Sequence, residues 1–357
     1  MPLSLRYILI VGSLLLTLVL LYLGRNIFIS AYMGLLFAFL MIPFSNRLEK
    51  RGCSRKLAAM ISMVIVLSCI LLLIYFFITR VRGLTSDVEE ISRQLDAYRR
   101  ALTNTLHTKY NIAESDVEQF YTNAKSAITR YFSGFGSIAS SFIIASVVLP
   151  MTMYFIMIYR KHYKEFLFKV FPSAYHSGIL ETYQEEVEIV KRYLLGVMGV
   201  VLILSVCNVT ALTIIGIEHA LLFGVLAGLL NIIPVFGSLI GSALPVIYAI
   251  ATKDSLWYPF IVAIYFLIIQ LLESSLITPN IVGSKMKVNP YAIILAVFIG
   301  GTVWGPPGMV FFIPLLAQLK CLLQHIEPLQ PYGFLLSDPA TAHKESFFKK
   351  IIFKKNK

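Results

Sequence analysis

One carboxylate stands apart by its surroundings. Glu273 lies in Gln270-Leu-Leu-Glu273-Ser274-Ser275-Leu-Ile-Thr278-Pro279-Asn280, nineteen residues beyond Asp254 in an otherwise apolar run. Ionisable groups at membrane depth are costly and mark functional sites by default. A carboxylate there could exchange a proton against a cation. Gln270 precedes Glu273 by three residues and Ser274 by one helical turn, so the three share a helix face. Ser274, Ser275, Thr278 and Asn280 form a polar run interrupted by Pro279. Proline donates no hydrogen bond, so carbonyls left unpaired there could ligate a cation. A second set lies upstream in Asn231-Ile-Ile-Pro234-Val-Phe-Gly237. Asn231 offers amide donors and an acceptor, while Pro234 and Gly237 free backbone carbonyls to line a cavity. Each residue also has a plainer reading. The interval from Asp254 is about 28 Å of helix, which could seat Glu273 at the inner interface. Asn231 could simply cap a turn, the polar run could be a helix end, and Gln270 could be glue between helices.

Two long uncharged stretches must position these groups, Ala220–Thr252 and Val288–Leu319. Each is broken near its middle, the first at Asn231–Gly237 and the second at Gly305-Pro306-Pro307-Gly308. Unbroken, either would make a helix of about 50 Å, against a hydrocarbon core of about 30 Å. Folded at the break, each gives two arms of roughly 22 Å. Such arms suit helical hairpins that enter the membrane and return, with the irregular tip shielded inside protein.

The whole composition agrees. Of 357 residues, 57% are hydrophobic and 14% charged, whereas soluble domains carry about a quarter charged residues. The net charge of +12 sits in short loops and the tail, where orientation and anionic lipid explain it without nucleic acid. Cys53, Cys69, Cys207 and Cys321 show no paired or metal-type spacing and read as small buried hydrophobes.

In chain order, residues 1–79 hold three predicted spans, Tyr7–Gly24, Ile27–Phe44 and Leu57–Thr79. Residues 80–137 form a mixed-charge helical insert whose seam Val81, Leu84, Val88, Ile91, Leu95, Tyr98, Leu102 follows heptad spacing. That seam could serve assembly with another copy, or pack within the chain. Residues 138–192 give a returning span and an amphipathic interfacial helix, with Leu180, Tyr183, Val187 and Val190 on its apolar face and Glu181, Glu185, Glu186 and Glu188 largely opposite. Residues 193–324 contain the span Tyr193–Ile217, the first hairpin, the span Ser255–Leu272 and the second hairpin. Residues 325–357 are a basic tail. The basic loop after the second span, Arg47 to Lys56, places both termini in the cytoplasm by the positive-inside rule. The unit of one span followed by one broken hairpin then occurs twice in opposite orientations, as in secondary transporters whose site lies where the breaks meet. The predicted fold is an all-α polytopic membrane protein of about eight membrane segments, with two hairpins in an inverted-repeat core.

The stretch from Tyr193 to Gln324 resembles the autoinducer-2 exporter family, also called PerM-like permeases. The matching residues are Leu221-Leu-Phe-Gly224-Val-Leu-Ala-Gly228-Leu-Leu-Asn231-Ile-Ile-Pro234-Val-Phe-Gly237, Gln270-Leu-Leu-Glu273, Thr278-Pro279-Asn280-Ile-Val-Gly283, Asn289-Pro290, Gly305 and Ile313-Pro314. The chain departs from the family pattern at Val235, Ser238, Ser274 and the Gly305–Gly308 turn. The resemblance implies a transporter that exports a small signalling molecule or exchanges sodium for protons.

The expected function is therefore a secondary active permease in a bacterial-type inner membrane. It would move a small hydrophilic solute or monovalent cation outward, coupled to protons or sodium. The expected path residues are Asn231, Pro234, Gly237, Gln270, Glu273, Ser274, Thr278, Pro279, Asn280 and Gly283. Alternatives are an uncoupled channel or a membrane scaffold acting through the 80–137 insert. No catalytic residue, cofactor or metal is expected. The chain lacks a His-Glu-x-x-His run, a membrane-embedded Asp pair and a Walker loop. Expected partners are membrane lipids, the solute and its coupling ion, with self-assembly as an option.

Overall fold

The computed structural model of this chain describes, with short gaps, residues 19–85, 146–281 and 288–338. The elements are α1 (Arg25–Lys50), α2 (Arg55–Thr85), α3 (residues 146–170), α4 (His176–Ile215), α5 (Ala220–Leu230), α6 (Phe236–Thr252) and α7 (Trp257–Leu272). A π-helical turn (Glu273–Ile277) joins α7 to α8 (Thr278–Ile281), followed by α9 (Pro290–Trp304), α10 (Pro306–His325) and α11 (Gln330–Leu335). Among the described residues the only β feature is an isolated bridge between Val288 and Ser337. Among the described residues, five helical stretches are long and apolar enough to cross a bilayer: Arg25–Lys50, Arg55–Arg80, Gly178–Ile215, Trp257–Ile281 and Pro306–His325. This is an all-α polytopic membrane protein. Its outward side chains fit a lipid surroundings, with Leu72, Ile214, Leu271 and Phe298 all at least 60% exposed.

Helix α4 is the spine. Its 40 residues span about 60 Å, and both hairpins lie along it. Small residues permit the approach of α5, because glycines four apart let helix backbones close on one another. A Cβ at Gly224 would stand 2.5 Å from the Val209 backbone nitrogen, and one at Gly228 would stand 2.2 Å from Ser205 Oγ. From Gly224 to Gly228 the contact on α4 therefore moves from Val209 back to Ser205. Helix α10 meets the other half of α4. Tyr193 donates its hydroxyl to the Val310 carbonyl at 2.9 Å, and Glu186 lies against Gln318 and Cys321. As α10 leaves its own tip, its contacts on α4 thus move from Tyr193 toward Glu186. Among the described residues, each charge-free run folds as two helices joined at its expected break, α5 and α6 about residues 231–235 and α9 and α10 about Gly305.

Each tip has its own local cause. In the second, Gly305 adopts φ 67° and ψ −149°, a combination essentially restricted to glycine. Pro306 then opens α10 at the first-turn position, where its missing N–H costs no intrahelical bond. The arms touch backbone to backbone, because a Cβ on Gly308 would stand 1.9 Å from the Gly300 carbonyl oxygen. Gly308→Ala is therefore expected to destabilise the protein by about 1–3 kcal/mol through overpacking. The check is the thermal unfolding midpoint in detergent, and an unchanged midpoint would contradict this packing.

Two buried clusters hold the assembly. Leu212, Phe223, Tyr248, Val262 and Phe266 seat the first hairpin on α4 and α7. Ala38, Ala59, Val66, Met153 and Met157 join α1, α2 and α3. At one end of that bundle Arg160 donates to Glu49 at 2.6 Å, with Arg55 3.6 Å from the same carboxylate.

Two expectations are corrected. Glu186 is not on a polar face. The segment expected to be a separate interfacial helix is continuous with the span after it, and its inner stripe is Thr182, Glu186, Val190 and Tyr193, all no more than 9% exposed. Second, among the described residues the small cavity beside the first tip takes no lining from α9 or α10. Part of the first predicted span, nearly all of the 80–137 insert, the Lys285 and Lys287 loop and the tail beyond residue 338 lie outside the described residues.

Candidate ion-binding site

The polar groups of α7 gather because the helix changes pitch at Glu273. In a regular α-helix, residue i+5 lies about 140° round from residue i. The π turn over Glu273–Ile277 brings i+5 back onto the same side, and Thr278 Oγ1 donates to Glu273 Oε1 at 2.5 Å. Pro279 supplies a local cause. It cannot donate to the Ser275 carbonyl four residues earlier, and its ring crowds that oxygen. Gln270 Nε2 donates to the other oxygen, Oε2, at 3.3 Å. Each carboxylate oxygen is thus held by one neutral donor, and among the described residues no salt bridge reaches Glu273.

Glu273 faces a small cavity with Gln270, Asn231, Ser238 and Asn208, walled by Leu204, Ala227, Phe266 and Ile269. Four elements contribute: the C-terminal third of α4, the first hairpin's inbound arm and tip, the start of α6, and α7 with the π turn that follows it. Asn208 is 3% exposed, and its Oδ1 accepts from Tyr265 Oη at 2.8 Å. What it most readily offers the cavity is its amide N–H pair. Gly237 lets the tip close, because a Cβ there would stand 1.7 Å from the Leu230 carbonyl oxygen. The cavity measures about 20 Å³, room for roughly one water. A carboxylate, amide oxygens and a hydroxyl around so small a space suit one water or one bare monovalent cation. A multi-carbon solute does not fit.

Of the expected path residues, the structure unites Asn231, Gln270 and Glu273 in the cavity wall, with Thr278 behind Glu273 and Gly237 behind the tip. It does not bring in the rest. Ser274 is exposed, its hydroxyl returned to the Leu271 carbonyl at 3.2 Å. Pro279 and Asn280 are exposed, Pro234 is part-buried in the turn outside the lining, and Gly283 lies outside the described residues. Asn208 and Ser238 were not anticipated. Asn208 is an amide within the span Tyr193–Ile217, the kind of intramembrane polar group that could have flagged it. Among the described residues, none of the lining comes from α9 or α10. The second hairpin packs elsewhere, placing Trp304 and Phe311 against Tyr32 at ring-centroid distances of 6.4 and 6.2 Å.

The model of the AI-2E family of transporters matches residues 11–327. Individual relatives are distant but long. "Putative transport protein YrrI" of Bacillus subtilis (strain 168) is 25% identical over 312 residues, 84% of this chain and 87% of that protein. "AI-2 transport protein TqsA" of Escherichia coli (strain K12) is 23% identical over 343 residues, covering 94% and 96%. "Putative transport protein YueF" of Bacillus subtilis (strain 168) is 22% identical over 256 residues, 69% of each chain.

Proposed function

The chain belongs to the AI-2E family of transporters, and from that premise we propose that it is a secondary active permease whose coupling ion binds at Glu273. The cavity that Glu273 shares with Asn231, Asn208, Ser238 and Gln270 carries this reading. It holds an anionic ligand among neutral oxygens and amides, in a space suited to a proton-bearing water or a sodium ion. The cargo is a small hydrophilic solute or a second monovalent cation, taken along a path that opens when the hairpins shift. TqsA is named for AI-2 transport, which favours a small solute as cargo; the outward direction follows from the resemblance to an exporter family. The protein sits in the inner membrane with both termini cytoplasmic.

Rigid-body motion supplies a mechanism. In transporters with inverted repeats, one bundle rocks against another around a fixed site. Here α4 is shared by both hairpins, so a shift of the first hairpin along it would move Asn231 and Ser238 relative to Glu273. Ion binding at Glu273 would favour the closed tip, and ion release would favour opening.

The test is reconstitution of the full chain into liposomes with an internal pH-sensitive dye and an imposed sodium gradient. Saturable, sodium-dependent proton movement is expected. Conductance that neither saturates nor depends on the imposed gradient would replace this reading with an uncoupled channel.

A further inference from the structure

A second cluster lies some distance along α4 from the Glu273 cavity and has no part in the proposed coupling. Cys321 and His325 are four residues apart on α10 and therefore share a face. Glu185 reaches them from α4. One ligand atom from each of Glu185, Cys321 and His325 falls within 4.8 Å of the others. No feature of the sequence pairs these residues, because the third comes from a helix more than 130 positions earlier.

The local geometry is that of a ligand set. His325 Nδ1 lies 2.9 Å from the Cys321 carbonyl oxygen. A proton on Nδ1 satisfies that bond and leaves the Nε2 lone pair available, the arrangement by which backbone carbonyls orient metal-binding histidines. Nε2 faces Glu185 Oε2 at 3.9 Å, a gap that two ligands of one ion span naturally at metal–ligand distances near 2 Å. Cys321 is 2% exposed, with its sulfur 4.0 Å from His325 Nδ1 and within 4.8 Å of the ligand atoms of the other two residues.

Glu186, adjacent to Glu185 on α4, is 8% exposed and interacts with the Cys321 thiol and Gln318. Its Oε1 is buried without a hydrogen-bond partner among the described residues.

We propose that Glu185, Cys321 and His325 form a binding site for a zinc-class divalent cation that clips α10 to α4. The mixed sulfur, imidazole and carboxylate donors favour zinc over magnesium or calcium, which take oxygen ligands. Binding breaks the Cys321 S–H bond and forms a metal–sulfur bond, with the proton released to solvent. No electron is transferred. Glu185 is 53% exposed at its side chain, giving the ion a route in.

The test uses tag-free full-length protein in detergent with reductant, titrated with cobalt(II) and zinc(II). One equivalent of cobalt should produce a thiolate-to-cobalt absorption band that zinc abolishes. Zinc should also raise the thermal unfolding midpoint. His325→Ala and Cys321→Ser should each weaken binding by about tenfold to a hundredfold or more, with Glu185→Gln milder and Glu273→Gln without effect. His325 closes its helix and is part-exposed, so its variant keeps the test decisive should Cys321→Ser fail to fold. Absence of the cobalt band, or binding unchanged in the His325 variant, overturns the proposal and leaves an ordinary ion pair between His325 and Glu185. Neither result bears on the Glu273 reading, because metal binding is read without transport.

Discussion

Glu273→Gln is expected to abolish sodium-dependent proton movement while leaving the protein folded and assembled. The substitution keeps shape and hydrogen bonding. Gln accepts from Thr278 through its amide oxygen, and the Gln270 amide can flip to accept from the new N–H pair. What disappears is the negative charge. Two unit charges 4 Å apart at an effective dielectric of 20 interact by about 4 kcal/mol, close to three decades in ion affinity. Partial exposure of the carboxylate reduces this, so a loss of at least about tenfold is the conservative expectation. Thr278→Val should act in the same direction but more weakly. It removes one donor to a charged acceptor, worth roughly 1.5–3 kcal/mol, and leaves the charge in place. The measurement is the initial rate against sodium concentration in reconstituted liposomes. Wild-type kinetics in Glu273→Gln would remove this carboxylate from coupling, and the family membership would stand without it.

The division of each charge-free run into two helices at its break was legible because it follows from length and solvent alone. Thirty uncharged residues with proline and glycine at the centre leave few alternatives in a bilayer. Glu273, Gln270 and Asn231 were legible for a related reason, since polar groups inside apolar runs are conspicuous. Residues whose position depends on packing were less so. A periodicity of 100° per residue puts Ser274 beside Gln270, but the π turn carries Ser274 to the surface and draws Thr278 inward. Pro279 was the only sequence signal of that change, and it suggested free carbonyls rather than altered pitch. Glu186 shows the opposite failure. Its acidic neighbours place it on a polar face, but α4 runs unbroken for 40 residues and packs against α1 and α10 along its first half. The stripe that α4 buries is set by those neighbours, and Glu186 falls within it. The second hairpin's absence from the cavity has the same origin. Charges fix the order in which segments cross, while the separation of the tips around the spine depends on side-chain volumes at Tyr32, Trp304 and Phe311.

Gly237→Ala should be nearly as damaging as removing the charge, although it adds only a methyl group. An added Cβ would stand 1.7 Å from the Leu230 carbonyl oxygen and 2.5 Å from its carbon. Both are backbone atoms, so no rotamer change relieves the overlap. The last turn of α5 must separate from the first turn of α6, carrying Asn231 and Ser238 away from Glu273. Overpacking of this kind costs about 1–3 kcal/mol, but the functional loss should exceed that, because cavity geometry fails before the fold does. Transport is expected to fall by at least about tenfold, with ion affinity lost in parallel. Gly178→Ala is the matched control. It adds the same methyl group in the first turn of α4, where nothing lies within 4 Å, and should leave both rate and stability near wild type. If Gly237→Ala transported normally, the close approach of α6 to the end of α5 would be irrelevant to function. Ion coordination would then have to be assigned to Glu273 and Gln270 alone, on a single helix and without the hairpin.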